Sequence, residues 1–304
     1  METSGTRWQA EGASSPVRPS QSRLKLNWNW VGVAPFLLFA VLFMILPAGA
    51  LLVGAFQDPA GNFTLQNIRD LSSDYIVNAY KLSISVSLVT AVGGALFGFL
   101  LAYAVTLGGL PQGLKSALLT FSGVASNFAG VPLAFAFIST FGRVGLVTIV
   151  LRDLFGVNIY DQGFNLYGFA GLCLTYMYFQ FPLMVLIITP SLEGLRREWR
   201  EACENLGGNT WHYWRYIALP VLMPALLATF VLLFGNAFGA YATAYALTGG
   251  MLAVVPIIIG MQIRGDVLFN EGLAYALALG MVIIMGISIL IYSTLQARAA
   301  RWRQ

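Results

Sequence analysis

Long apolar runs separated by short polar segments dominate this chain, and the runs set its element count. Six of them, residues 30–56, 78–105, 118–141, 166–189, 221–247 and 273–295, are each long enough to be a membrane-spanning helix. At ~1.5 Å per residue such a helix reaches across the ~30 Å hydrocarbon core of a bilayer. Inside lipid every backbone polar group needs an internal partner, which leaves helices as the reading for runs of this kind. Trp28 and Trp30 then fall at a membrane interface, where indoles gather. A seventh apolar run, 251–261, contains Pro256 and is too short to cross. It is expected to be re-entrant or to lie along the outer surface. Arg143, Arg152 and Asp153 interrupt another apolar stretch. Each would cost about 2.5–3.5 kcal/mol at a bilayer centre, so that stretch is expected outside, as an interfacial helix.

The polar segments supply the domain plan. Residues 1–27 are rich in Ser, Pro and Arg and read as a disordered cytoplasmic tail. Residues 28–74 give the first membrane helix and an external loop carrying Asp58, Pro59, Arg69, Asp70 and Asp74. Residues 75–296 form the main transmembrane domain, with Gly108, Gly109 and Pro111 marking a turn and a polar loop at 190–219, and 297–304 is a second tail. The fold class is all-α membrane protein, six spans with a cytoplasmic loop between the fourth and fifth. Orientation follows from the basic residues: with the first tail inside, 12 of the 17 Lys and Arg lie on inner segments. By the positive-inside rule both termini and the 190–219 loop are cytoplasmic.

Composition agrees and removes other functions. The chain is 58% hydrophobic and 10% charged, with a mean hydropathy of +0.73. Its net charge of +4 is accounted for by the topological excess of arginine, and no basic patch interleaved with aromatics points to nucleic acid. All thirteen acids lie in tails or loops. A carrier driven by protons or sodium ordinarily needs an intramembrane carboxylate or histidine, and the one histidine, His212, is in the cytoplasmic loop. Cys173 and Cys203 occupy different environments and form neither a disulfide framework nor a metal site. No span carries a Ser/His, paired-carboxylate or metal-ligand set, so no catalytic residue is assigned. The chain also lacks the G-x-x-x-x-G-K loop that cradles phosphates.

The loop at 190–219 is the informative stretch. From Ser191 to Leu206 the residues are good helix formers, and Gly207-Gly208 supplies a permissive stop. Asn209 or Thr210 can cap a second short helix on which Trp211, Trp214 and Ala218 share one side. Glu201, Ala202 and Cys203, then Gly207 four residues further on, then Ile217, Leu219 and Pro220 stand in fixed register. This pattern resembles the signature of the integral-membrane permeases of binding-protein-dependent ABC importers, which reads E-A-A, three residues, G, nine residues, I-x-L-P. Cys203 departs from it at the third position, a small side chain that a packed helix face tolerates.

The resemblance extends over about residues 75–296 and implies a bacterial cell-membrane subunit that works by alternating access. It implies that the loop is a coupling helix docking on an ATPase subunit through Glu201, Ala202, Cys203, Gly207, Ile217, Leu219 and Pro220. It also implies the partners, namely a homologous second permease, two ATP-binding cassette subunits and an external solute-binding protein. ATP is bound by those partners, and the chain itself is neither an enzyme nor a holder of a cofactor. Asn205-Leu206-Gly207-Gly208 and the run 234–250 look more like the polyamine, aminophosphonate, iron and thiamine permeases than the sugar permeases, which usually place an acid before the signature glycine. The implied solute is a polyamine or a similar small polar or charged molecule, although Ala240 stands where relatives of that group often carry an acid. A sugar-type permease, a stand-alone channel or a secondary carrier are the alternatives.

Polar side chains within the spans are candidates for the pathway, and Asn127, Gln180, Asn236 and Thr243 are chosen. Interhelical hydrogen bonding is the competing role for each of them. Gly94 and Gly98, like Gly235 and Gly239, have the small-xxx-small spacing that lets helices approach closely.

Overall fold

The computed structural model describes residues 29–264 and 270–301 and is helical almost throughout. The tail expected over 1–27 lies outside the described residues. Contacts divide the chain into two units, one ending at Ala48 and one starting at Gly49, each described by itself.

The first unit holds α1 (Asn29–Ala40), which contains Pro35, followed by a π turn at Val41–Ile45 and the start of α2 (Leu46–Gly54). The continuous stretch Gly32–Gly54 is long and apolar enough to cross a membrane, as expected for the first span.

In the second unit the loop after α2 closes on an isolated antiparallel bridge between Gln57 and Phe63. The Asp58 carboxylate accepts the amides of Asn62 and Ala60. These bonds, Asn62's foremost, hold it below its ordinary pKa. A short helix, α3 (Gln66–Asp70), presents Asn67 inward, where its Nδ2 donates to the carbonyls of Ala55 and Gln57.

The longest helices carry the core. α4 (Asp74–Leu107) lies along α8 (Phe169–Glu193). The close approach runs through Gly94 and Gly98, as their spacing predicts. A Cβ built on Gly94 would stand 2.7 Å from the Gln180 Cβ, and one on Gly98 would stand 2.5 Å from the Met184 Cβ. Around this seam Ala91, Ala102, Val185, Ile188 and Leu233 are buried together.

The third expected span, 118–141, is not one helix. α5 (Gln112–Asn127) stops, the chain turns at Gly130 with φ +75°, and α6 (Val131–Phe141) begins. Pro132, in the first turn of α6, explains the break, since a proline has no amide to donate back to the end of α5. The exposed amide end of α6 is closed from elsewhere: Gly130 N–H donates to Thr243 Oγ1 at 2.7 Å. The stretch 143–153, expected as an interfacial helix, forms most of α7 (Leu146–Phe155), so by length and composition the crossing-capable stretch here is Val131–Phe155.

The fourth span is α8. After Gly194 the chain leaves it, so the helix expected to run from 191 to 206 is in fact the end of α8 and a separate α9 (Arg197–Asn205). α10 (Thr210–Tyr213) and a π turn at Trp214–Ala218 lead into α11 (Leu219–Phe238). The fifth expected span, 221–247, also breaks. α11 ends at Gly239, where the Tyr176 hydroxyl donates to the Ala240 carbonyl at 2.7 Å, and α12 (Ala242–Thr248) continues as a separate helix against α6. A side chain that captures a ladder carbonyl is an ordinary cause of such a bend.

The short apolar run at 251–261 becomes α13 (Val255–Arg264). Val255, Pro256, Ile257 and Ile258 are all buried, so its first half packs into the protein, whereas Ile263 and Arg264 at its end are exposed. Its first amide, on Val255, donates to Ser83 Oγ of α4 at 2.8 Å. α14 (Glu271–Arg301) closes the chain and contains the expected sixth span. Among the described residues six stretches are long and apolar enough to cross a membrane.

Candidate functional site

The segment singled out in the sequence folds into a two-helix corner. α9 ends at Asn205, and Gly207 takes φ +80°, a left-handed backbone that glycine adopts without steric penalty. The amide of Gly208 then donates to the Cys203 carbonyl at 2.9 Å, which closes the end of α9. Gly208 is packed so tightly that an added Cβ would stand 2.5 Å from the Cys203 sulfur. Asn209, the expected cap, starts α10: its Oδ1 accepts the His212 amide at 3.0 Å, and the His212 ring returns to the Asn209 amide. His212 is thus a capping partner on an exposed surface.

The second helix turns differently from the expected one. Trp211, Trp214 and Ala218 do not share a side; Ala218 is buried, whereas Trp211 is 66% exposed. The cause is the π turn at Trp214–Ala218, whose i→i+5 bonding adds a residue to the turn and rotates the inward face. Tyr213 and Ala218, five apart, are the residues that pack inward on Cys203. Trp214 joins the corner to α4, its ring edge-on to Tyr103 at 5.3 Å and to Phe99 at 6.3 Å. No sequence signal marked Tyr213 as an anchor, since an aromatic at a helix end carries no spacing of its own.

On the outer side of the corner, Ala202, Cys203, Gly207, Ile217 and Pro220 line one open groove of about 670 Å³. Its rim carries Leu206, 88% exposed, and Tyr216, 66% exposed, which is a large apolar surface for a polar loop. Glu201 stands exposed beside it, paired with Arg197 at 3.0 Å. Leu219 opens α11, and Pro220 follows it directly after the π turn. The seven signature positions therefore converge on one corner.

The four pathway candidates separate. Gln180 is fully buried between α4, α8 and α11, its Nε2 donating to the Leu233 carbonyl at 2.8 Å while its Oε1 has no partner among the described residues. Thr243 is buried at the start of α6, as described above. Both tie helices together in this conformation. Asn127, at the end of α5, and Asn236, on α11, are exposed. Among the described residues no group of His, Cys, Asp or Glu could hold a metal ion.

Residues 133–303, more than half of the chain and including the whole corner, match the family of binding-protein-dependent transport system inner membrane components. The chain belongs to that family. Its relatives are permeases: the sulfate transport system permease protein CysT of Escherichia coli (strain K12) is 27% identical over 92% of this chain and 96% of its own length. A probable sulfate transport system permease protein cysT of Nephroselmis olivacea is 24% identical over 84% of each chain. The thiamine transport system permease protein ThiP of Escherichia coli (strain K12) matches a shorter part, 28% identical over 38% of this permease and 21% of its own length. Among solved structures, a chain of a bacterial ABC transporter involved in the import of the acidic polysaccharide alginate superposes with a TM-score of 0.72 over 89% of this permease and 95% of that chain. At 15% identity that likeness concerns the fold. The permease is thus a multi-pass membrane subunit of an ABC importer, a transport component.

Proposed function

We propose that the α9–α10 corner is where this permease meets a separate ATP-hydrolysing subunit, with Glu201, Ala202, Cys203, Gly207, Ile217, Leu219 and Pro220 as its coupling residues. The observation that carries the reading is the convergence of five of these positions, Ala202, Cys203, Gly207, Ile217 and Pro220, on one open, apolar-rimmed groove. Two such ATP-binding subunits, a homologous second permease and an external solute-binding protein complete the assembly, and the partner subunits bind the nucleotide. Closure of the ATPase pair draws the two corners together. The movement enters the membrane through Trp214 on α4 and through Pro220 at the head of α11, which alternately opens the pathway outward and inward. The arginine-rich side, with the corner and both termini, faces the cytoplasm.

For the solute, we infer a small oxyanion in preference to the polyamine suggested by the sequence pattern. Two observations support this. The relatives that extend over nearly the whole chain are named for sulfate, and the acids in the crossing-capable stretches, Asp74, Asp153, Glu193 and Glu271, all stand at or near an end and not mid-span, where a polycation would need one. The complete transporter, with its binding protein, reconstituted in liposomes is expected to accumulate labelled sulfate on addition of ATP. Uptake of labelled spermidine without sulfate uptake would restore the polyamine reading. Failure of the ATPase to co-purify with the permease, or its unaltered co-purification when Gly207 is replaced by valine, would overturn the coupling role itself.

A further inference from the structure

A second cavity at the corner, of about 480 Å³, shares no lining residue with the groove. Arg196, Arg197 and Arg200 line it from the first turn of α9 and just before it, and Tyr103, Leu107 and Trp214 form its apolar floor. Its depth in the membrane follows from α4. That helix has 34 residues, which at ~1.5 Å each make about 51 Å against the ~30 Å hydrocarbon core. Tyr103 and Leu107, in its last turns, therefore reach the headgroup layer. Aromatic rings and arginines are what that layer favours.

The charges of the cavity are available to a ligand. Arg197 and Arg200 pair with Glu201 and Glu204 on their own helix at 3.0 and 3.1 Å, and all four side chains are more than half exposed. Exposed pairs of this kind are easily exchanged for a stronger partner. Arg196 has no carboxylate partner among the described residues; its guanidinium stands over the Trp199 ring at 6.0 Å. Guanidinium forks match the geometry of phosphate oxygens. We propose that this cavity binds the headgroup phosphate of an anionic glycerophospholipid from the leaflet that faces the ATPase. The choice of leaflet rests on the orientation given under Proposed function; the site itself does not. Because α9 carries residues of both cavities, Arg197 and Arg200 in this one and Ala202 and Cys203 in the coupling groove, a bound lipid steadies the corner from its membrane side.

The test uses the full chain purified in mild detergent, titrated with phosphatidylglycerol or phosphatidylcholine, with retained lipid counted by native mass spectrometry. Phosphatidylglycerol is expected to be retained in preference to phosphatidylcholine. Arg196→Gln alone, which leaves both ion pairs in place, should weaken that retention about fivefold, and the triple change to Gln at 196, 197 and 200 at least about tenfold. Lysine at all three positions should restore most of it, which separates charge from folding. Equal retention of the two lipids, or equal retention by wild type and Arg196→Gln, overturns the proposal. Displacement of phosphatidylglycerol by millimolar inorganic phosphate would do so too, since the site would then serve free anions. None of these results bears on whether the ATPase co-purifies, so the lipid site and the coupling role fail separately.

Discussion

Gly207 has open space where a side chain would point, so its constraint is the φ of +80° alone. A β-branched residue in that region stores about 1–3 kcal/mol of strain, while asparagine tolerates it. Gly207→Val is expected to leave the spans inserted but to lower co-purification of the ATPase and uptake together, whereas Gly207→Asn retains most of both. Glu201→Ala should be milder than Gly207→Val, because its exposed pair with Arg197 contributes only about 0–1 kcal/mol. Gln180 poses the opposite question, since its buried amide has one good bond and one orphaned oxygen. An interhelical hydrogen bond in a membrane averages only about 0.6 kcal/mol, so removing the bond and the orphan together changes little. Gln180→Met should therefore shift thermal unfolding slightly and leave uptake intact. Lost uptake with unchanged stability would instead place Gln180 in the pathway. At this scale the glycine and the cap at Asn209 were legible because each answers a local backbone need. The inward turn of Tyr213 was not, because a π turn has no residue signature.

The helices were legible as apolar runs, but their interruptions were not. The third and fifth runs are continuous in hydropathy; the break at Gly130 follows from Pro132, which the apolar run around it conceals, whereas the break at Gly239 depends on Tyr176, which arrives from a distant part of the chain. A window of sequence cannot register a carbonyl captured by a residue more than sixty positions away. The helix seam is the reverse case, foretold by the glycine spacing and found in place. At Gly98 an added Cβ would also stand 2.8 Å from the Phe181 carbonyl, which cannot rotate away. Gly98→Val should force α4 off α8 at a cost of about 1–3 kcal/mol or more and lower the thermal midpoint. Gly123, inside α5 with nothing near it, makes the control: Gly123→Ala should raise stability by up to about 1 kcal/mol through helix propensity. If both variants behave alike, the seam is not what holds these helices.

For the whole molecule, the sequence yielded the number of spans and the family because both rest on patterns that lipid and a partner surface impose on the chain. The solute is a different matter: no spacing along the chain answers to it, and the four pathway candidates chosen from the sequence separate in the structure. Orientation lies between these cases, since it rests on where arginines gather and can be tested directly. Asn62, Asp161 and Glu198 are all exposed, so a cysteine at any of them is reachable by a water-soluble reagent on its own side. The native Cys173 and Cys203 are buried and can be replaced by serine to leave a silent background. With 12 of 17 basic residues on the corner's side, the charge asymmetry predicts that cysteines at 62 and 161 react with an impermeant thiol reagent applied outside intact cells, and that a cysteine at 198 reacts only after the membrane is opened. The reverse pattern would put the corner where no ATP-hydrolysing subunit can reach it, and the coupling role would fall with it.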